Sequence, residues 1–398
     1  MNPLLSGVRV LDLSRMLPGG VISQMLADLG ADVVKVERPG VGEESRAFGV
    51  PVAGTTAGHA FLDRGKRSVA LDLQDPRGVR AVHALAQDAD VVLESFRPGV
   101  ADRLGVGYDD LIAVNPRLVY CSINGYGTGG PRDHEPGHDL NYLAYAGATG
   151  FGGSRTHGPA IAGVQTADIV GGLTGGVGLL AALLGVRAGG DGCHVEVGLA
   201  DAALWALGIH VSSWLAGDEA QGPESTAVTG ATPSYRVYEC ADGRHLAVGA
   251  VEPRFWAEFT EVLHRPDLAA RQHDPQAIAE VADVVATRTL DEWAKLLEGR
   301  ETCATPVQDF AEVARDPQFL ARQMVVPVAG APDHQQIGTP VHVDGRPPAR
   351  VGPAAVGVGQ HNAEIFASHD LDPDVHAAVL SWAPASGPSL NDTPEESA

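Results

Sequence analysis

Short apolar runs alternate with stretches of helical spacing through the first third of the chain. Val8 to Leu13 (VRVLDL) is apolar and ends in a polar turn, Ser14 to Gly20. Apolar positions then recur at helical intervals from Val21 to Leu29, and Asp32 to Glu37 (DVVKVE) is apolar again. Strand, helix and strand joined by turns this short predict a β-α-β unit with parallel strands and a right-handed crossover. The unit repeats: Ser68 to Leu73 reads as a strand, Pro76 to Gln87 as a helix, Asp90 to Glu94 (DVVLE) as a strand, Tyr108 to Asn115 as a helix and Leu118 to Ile123 as a strand. The alternation predicts an α/β fold with a large, doubly wound, Rossmann-like parallel-sheet domain. Ligands of such sheets lie at the carboxyl ends of the strands.

Beyond residue 165 the texture changes. Ile169 to Val186 keeps helical spacing although it carries Gly171, Gly172, Gly175, Gly176 and Gly178. A glycine costs a helix about 1 kcal/mol relative to alanine, so five of them predict close packing against another backbone. Val195 to Val197 reads as a strand, Leu199 to Leu215 as one helix bearing Trp205 and Trp214, and Gly217 to Pro233 as a polar linker. Tyr235 to Cys240 and His245 to Gly249, joined through Asp242-Gly243, predict a hairpin. Helices are expected over Arg254 to Leu263, Gln276 to Thr289 and Leu290 to Gly299. A chain of 398 residues exceeds the usual single core. The expected organisation is a large domain over 1–220, a smaller α+β domain over 225–325, and a proline-rich return segment over 326–398 packing on the large domain. The last dozen residues have the composition of a disordered tail.

Composition narrows the partners. The 44% hydrophobic content is that of an ordinary globule, no 18-residue uncharged span has membrane flanks, and Met1 to Ser6 lacks a basic and apolar leader. A cytoplasmic protein with no membrane partner is expected. Cys121, Cys193, Cys240 and Cys303 have no CxxC spacing, which predicts reduced, mostly buried thiols. A net charge of −22 argues against nucleic acid. The charge is unevenly spread: residues 1–125 hold 13 Lys and Arg against 15 Asp and Glu, a net of −2, which leaves −20 for the rest. An anionic ligand would do best on the N-terminal third.

Two motifs match as strings and fail in context. His134-Glu135-Pro136-Gly137-His138 fits HExxH, but that zinc motif needs a helix and Pro-Gly breaks the turn, so no metal is expected. Gly125 to Gly130 fits GxGxxG, yet the following Pro131 to Pro136 cannot open the helix that would hold a pyrophosphate, so no nicotinamide is expected. The glycines instead suit a turn that delivers His138. A P-loop and a GxSxG elbow are both missing, so a phosphate would be met by arginines near strand ends: Arg38, Arg64, Lys66, Arg67, Arg97 and Arg103. Singly each is best explained by surface pairing; as a set they suggest an anion site. A histidine and an aspartate, His138 and Asp168, also bracket a span rich in small residues, where two proton carriers can face one substrate. Singly, a loop histidine and a helix cap are the better explanations.

Several blocks in order carry a resemblance. LSGVRVLDLSRMLPGG, DLGADVVKVERPG, RGKRSVALDLQDPRG, ESFRPGVADRLGVGYDDL, NPRLVYCSINGYG, GHDLNY and YECADGRHLAVGAVEP together resemble the family III CoA-transferase superfamily, and within it the α-methylacyl-CoA racemases, over about 330 residues from Leu4 to Gly338. The resemblance implies CoA contacts at Arg38, at Leu71, Asp72, Leu73 and Gln74, at Ser95, Phe96 and Arg97, and at Arg103. It puts the reacting thioester beside Gly137, Asp139, Leu140, Asn141 and Tyr142. His138 and Asp168 match the racemases' acid/base pair and Glu252 the carboxylate that partners the histidine. An interlocked homodimer is implied, with no cofactor beyond the CoA of the acyl-CoA substrate.

The same resemblance frames the choice of reaction. In the transferases the residue matching Asp168 is a nucleophile, a histidine matching His138 is generally missing, and the formyl-CoA type has glutamine at the position of Leu17 and a glycine-rich loop near that of Glu252. Leu17, His138 and Glu252 therefore favour racemisation of a 2-methyl-branched acyl-CoA, as in fatty acid metabolism, over movement of CoA between carboxylic acids. The chain departs from the racemases in having only Met1, Met16, Met25 and Met324, which leaves the acyl groove to residues such as Leu204, Trp205, Leu207 and Trp214. Racemisation needs a base, an acid and donors for an enolate oxygen. The backbone at the start of the helix after Asp168 is the expected source of those donors.

Overall fold

A computed structural model of the chain describes residues 4–219, 221–347 and 352–383; the expected disordered tail lies outside them. The chain forms two compact units, Met1–Tyr142 with Gln165–Ala206 and Asp316–Ala398, and Leu143–Val164 with Leu207–Arg315.

The first unit is built on strands β1 (Arg9–Asp12), β2 (Asp32–Glu37), β3 (Arg67–Ala70), β4 (Val91–Glu94), β5 (Val119–Asn124) and β6 (Cys193–Gly198). They lie in the order β3-β2-β1-β4-β5-β6, and every neighbouring pair is parallel. A parallel sheet is covered on both faces, which is why its strands are continuous apolar runs rather than alternating ones. Val33, Val69, Val92 and Val119 are fully buried. The strand order reverses between β1 and β4, so the ligand crevice of this topology opens at their carboxyl ends.

Four of the unit's helices position the site: α1 (Met16–Asp28), α2 (Pro76–Asp88), α3 (Asp139–Tyr145) and α4 (Thr166–Arg187). α1 begins inside the stretch expected to be a polar turn. Pro18 stands in its first turn, where a missing N–H costs nothing, and the Ser23 hydroxyl donates to the Gly19 carbonyl at 3.0 Å. α2 starts at Pro76 behind the cap residue Asp75 and buries Ala81, Val82 and Leu85 in a core that also takes Ile365, Phe366 and Val379 from the C-terminal part of the chain.

The glycines of α4 explain themselves by contact. A Cβ on Gly172 would stand 2.7 Å from the Pro18 carbonyl oxygen, so helix α1 and helix α4 meet backbone to backbone there, and Gly175 and Gly178 face Ile22, Ile123 and Val195. By length and composition α4 is apolar enough to cross a membrane, which corrects the expectation that no such span exists. Its other face leaves Val177 and Leu184 about 70% exposed, at 71% and 69%.

Two expectations about connectivity change. Leu199 to Leu215 is two helices, Leu199–Ala206 and Gly208–Leu215, separated at the boundary between the units, where Gly208 gives the helix little reason to continue. The proline-rich return contains a hairpin, Val325–Val328 with Ala331–Ile337, and the helices Asn362–Phe366 and Pro373–Trp382.

The second unit holds a three-stranded antiparallel sheet of β7 (Tyr235–Glu239), β8 (His245–Gly249) and β9 (Ala304–Pro306), with β8 central. Helix α5 (Pro253–Val262) and the helices Ala277–Val285 and Leu290–Leu297 share with the sheet a core of Trp256, Phe259, Leu268, Val281 and Trp293. Both buried indoles donate to carbonyls, Trp256 to Leu268 and Trp293 to Val285, each at 2.9 Å. Strand β9 has no counterpart in the sequence expectations.

Candidate active site

The carboxyl ends of β1 to β4 enclose a cleft of about 130 Å³. Arg38, Leu71, Asp72, Leu73, Gln74 and Phe96 line it, all six among the residues that the resemblance assigns to CoA. Ser95, next to the lining residue Phe96, accepts the Arg15 amide at 2.8 Å, which ties the two strand ends of the switch point together. Arg15 itself lines the cleft and was not among the expected contacts, although its place directly after β1 at a strand end is a usable signal. Arg97 borders an adjoining cavity of about 120 Å³ that shares Phe96, and Arg103 is exposed on the next helix, Val100–Leu104.

The structure sorts the candidate cations. Arg64 grips Asp28 at 2.7 Å, Lys66 bonds Asp63 at 3.0 Å, and Arg67 holds Asp32 at 2.6 Å and Glu364 at 3.0 Å. These three hold the fold together and leave the expected anion set. Arg38, Arg97 and Arg103 are exposed and make no ion pair among the described residues, which leaves their guanidinium groups available for phosphate.

The segments that carry His138 and Asp168 are joined by Asp139, the residue after the histidine. The His138 carbonyl accepts the amides of Asn141 and Tyr142 and its own amide donates to the Asn141 side chain at 3.0 Å, so His138 stands at the head of α3 with its ring exposed. One residue on, the Asp139 carboxylate accepts the amide of Ala167 at 2.7 Å and that of Asp168 at 3.2 Å. The residue beside the histidine thus bonds the backbone of the aspartate. This corrects two expectations: the amides at the start of α4 are already taken and cannot receive an enolate oxygen, and the Asp139 carboxylate is turned to α4.

Asp168 sits in the first turn of α4. Burial pushes its carboxyl up, and the Asp139 charge adds to the effect, to about 7. Tyr142 forms the wall beside it: the ring packs edge-on to Tyr126 with centroids 5.2 Å apart, and the hydroxyl donates to the Gly137 carbonyl at 2.5 Å. The close fit depends on Gly125 and Gly137, where a Cβ would reach within 2.6 Å and 2.7 Å of that ring. Burial and the nearby Asp168 raise the Tyr142 phenol to about 12, so it stays neutral. Leu17 lies in the first turn of α1, next to the Pro18 carbonyl that touches Gly172. Leu140 and Asn141 are exposed on α3.

Glu252 belongs to the second unit. It is the N-cap of α5, exposed, with no side-chain cap bond. Leu204 and Trp205 of the first unit, and Trp214 of the second, are exposed, Trp205 by 76%.

A second buried carboxyl lies beneath Arg97. Burial pushes Glu94 up to about 7 although Ser122 and the Phe96 amide, at 2.6 Å, both bond it. The Ser122 hydroxyl lies 2.8 Å from the His194 ring nitrogen.

The doubly wound sheet thus carries a cleft at its switch point that is lined by Arg15 and Arg38, and the same unit holds an aspartate whose carboxyl is pushed up by burial. The chain belongs to CoA-transferase family III, whose model matches residues 5–362. It is 32% identical over 337 residues to succinyl-CoA:glutarate CoA-transferase of Mus musculus, covering 82% of this chain and 77% of that one. It is 31% identical over 375 residues to alpha-methylacyl-CoA racemase of Mus musculus, covering 91% and 92%. The crystal structure of a CaiB/BaiF family protein from Brucella suis matches with a TM-score of 0.81 at 29% identity, over 94% of this chain and 100% of that one. Racemase and transferase names occur at the same level of identity, so the choice between the two reactions rests on the chemistry of the site.

Proposed function

We propose that this enzyme racemises 2-methyl-branched acyl-CoA thioesters by removing and returning the α-proton through an enolate. The observation that carries the reading is the state of Asp168, held at about 7 by burial and by Asp139. A nucleophile for acyl transfer works ionised, whereas a proton donor at neutral pH has to stay neutral, and burial is the usual means. In this reading Arg38 and Arg97 bind the phosphates of CoA. His138 takes the α-proton on one face, and neutral Asp168 returns one on the other. The enolate oxygen is received by the backbone N–H groups of Asp139 and Leu140, which bond no acceptor among the described residues.

The other reading, a CoA transferase with Asp168 as nucleophile, draws support from relatives named as CoA-transferases. One experiment separates the two. Incubated in deuterium oxide with a single epimer of a 2-methylacyl-CoA and no free acid, the enzyme is expected to wash in one deuterium and scramble the centre. His138→Ala and Asp168→Ala should lose this by about 10²- to 10⁴-fold, the usual contribution of a general acid or base, and Glu252→Gln by less. Transfer of labelled CoA to a free acid, with hydroxylamine trapping an acyl group on Asp168 and no α-exchange, would establish the transferase instead.

A further inference from the structure

An aspartate in the first turn of a helix is ordinarily easy to ionise. The unpaired amides there donate hydrogen bonds and the helix dipole favours negative charge. At the start of α4 the cap position is Gln165, whose side chain makes no cap bond, and the amides of Ala167 and Asp168 go to Asp139, 28 and 29 residues earlier in the chain. Among the described residues no donor bonds the Asp168 carboxyl.

We propose that Asp139 is a positioning residue for Asp168: its carboxylate occupies the first-turn amides of α4 and so withholds from Asp168 the hydrogen bonds and positive field that would ionise it. The capping bonds fix the backbone from which the Asp168 side chain projects, and the negative charge of Asp139 opposes a second one beside it. Other groups around α4 do not take over this role. Tyr142, on the same helix as Asp139, is held neutral by burial. From α1, Asp28 is bonded to Arg64; from β6, His194 meets Ser122 and Glu196 meets Asn124. From β5, Tyr120 bonds the Val106 carbonyl and Cys121 is buried, and Asp201, after β6, lies against Gly127 and Gly198. The raised proton affinity of Asp168, with Asp139 as the one charged contributor, agrees with this arrangement.

For its consequence in catalysis the inference rests on the proton-transfer reading; for the protonation of Asp168 it does not. The test is therefore a direct titration of the full chain labelled with [γ-¹³C]aspartate, the Asp168 signal being assigned by its loss in Asp168→Asn. Asp139→Asn keeps an oxygen that can accept the two amides but removes the charge. It is expected to lower the Asp168 midpoint by about one unit or more, the scale on which a neighbouring charge acts, and Asp139→Ala, which also frees the amides, should lower it further. If the enzyme exchanges α-hydrogen, the alkaline limb of its pH profile, in the direction in which Asp168 donates, should move down by the same amount. Unchanged midpoints in both folded variants would overturn the role of Asp139. A shifted midpoint in an enzyme with no α-exchange would leave that role standing and remove the proton-transfer reading.

Discussion

Two sets of carboxyls in the first unit sit in opposite electrostatic settings. Around Asp12, Glu43 and Asp63 the fold has placed Lys35 and Lys66. Lys35 reaches Asp12 at 3.4 Å and Glu43 at 3.3 Å, and Lys66 reaches Asp12 at 3.4 Å and Asp63 at 3.0 Å, all with almost no exposed surface. Burial alone would push these carboxyls up, but the lysines outweigh it at Asp12 and Asp63, which are held below the usual range. Glu43 shares Lys35 with Asp12 and faces Asp63 and Asp12 as well, so burial wins there and it is raised. At Asp168 burial and the charge of another carboxylate, Asp139, push the same way. The comparison separates two uses of a buried acid. Cations surround the carboxyls that hold the β1–α1 turn, and among the described residues none pairs with Asp168.

The largest effect is expected from breaking the first group. Lys35→Ala would leave Asp12 and Glu43 buried without their shared cation, and removing one partner of a buried ion pair costs about 3–5 kcal/mol. Urea denaturation should show that loss, and a variant within about 0.5 kcal/mol of the wild type, the range of an ordinary surface change, would mean the cluster is not held together by charge. The unpaired arginines should behave differently. Arg38→Ala or Arg97→Ala should leave stability nearly unchanged yet weaken acyl-CoA binding by about 1.5–3 kcal/mol each, as for a hydrogen bond to a charged group, with added salt mimicking the loss. Calorimetry giving equal affinity in both variants would move the nucleotide out of the cleft.

Much of this contrast was invisible in the sequence for a physical reason. The β-α-β pattern is local, and β2 forms over the residues Asp32 to Glu37 that the apolar run marks. His138 and Asp168 stood out because each type carries protons and both border a span of small residues. What distinguishes Arg64 and Arg67 from Arg38 is long-range: Arg64 finds Asp28 36 residues away and Arg67 finds Glu364 297 residues away. No spacing rule reaches that far. The cap that Asp139 provides for α4 spans 28 residues and replaces a local cap that Gln165 does not supply. The hairpin Val325–Ile337 was masked by Pro327, which demotes a strand, although Gly330 between its strands has the positive φ of a tight turn.

The smallest effect is the one that tests the sign of the contrast directly. Asp168 and Glu94 are both held near 7, against ordinary values of 3.8 and 4.5. Between those values and about 7 the folded chain keeps protons that the unfolded chain has released, so unfolding releases protons and stability falls as pH rises. The contribution of each is full below its ordinary value and lost as pH climbs through 7. Asp12 and Asp63 have the opposite sign, their contribution being present above 3.8 and lost only as pH falls below it. Replacing Asp168 or Glu94 with its amide removes the cost of ionising in place. At pH 8 each variant, Asp168→Asn and Glu94→Gln, should therefore be more stable than the wild type by on the order of 1 kcal/mol, a fraction of the full shift because Asp168 is partly exposed. At pH 4 the difference should shrink to a small remainder, since the folded chain is then protonated at these positions and the unfolded chain partly so. Comparing variant with wild type at each pH cancels the titration of every other group. Denaturation curves that stay the same distance apart from pH 4 to pH 8 would show that Asp168 ionises like an ordinary surface carboxylate, and the cation-free setting around it would lose its meaning.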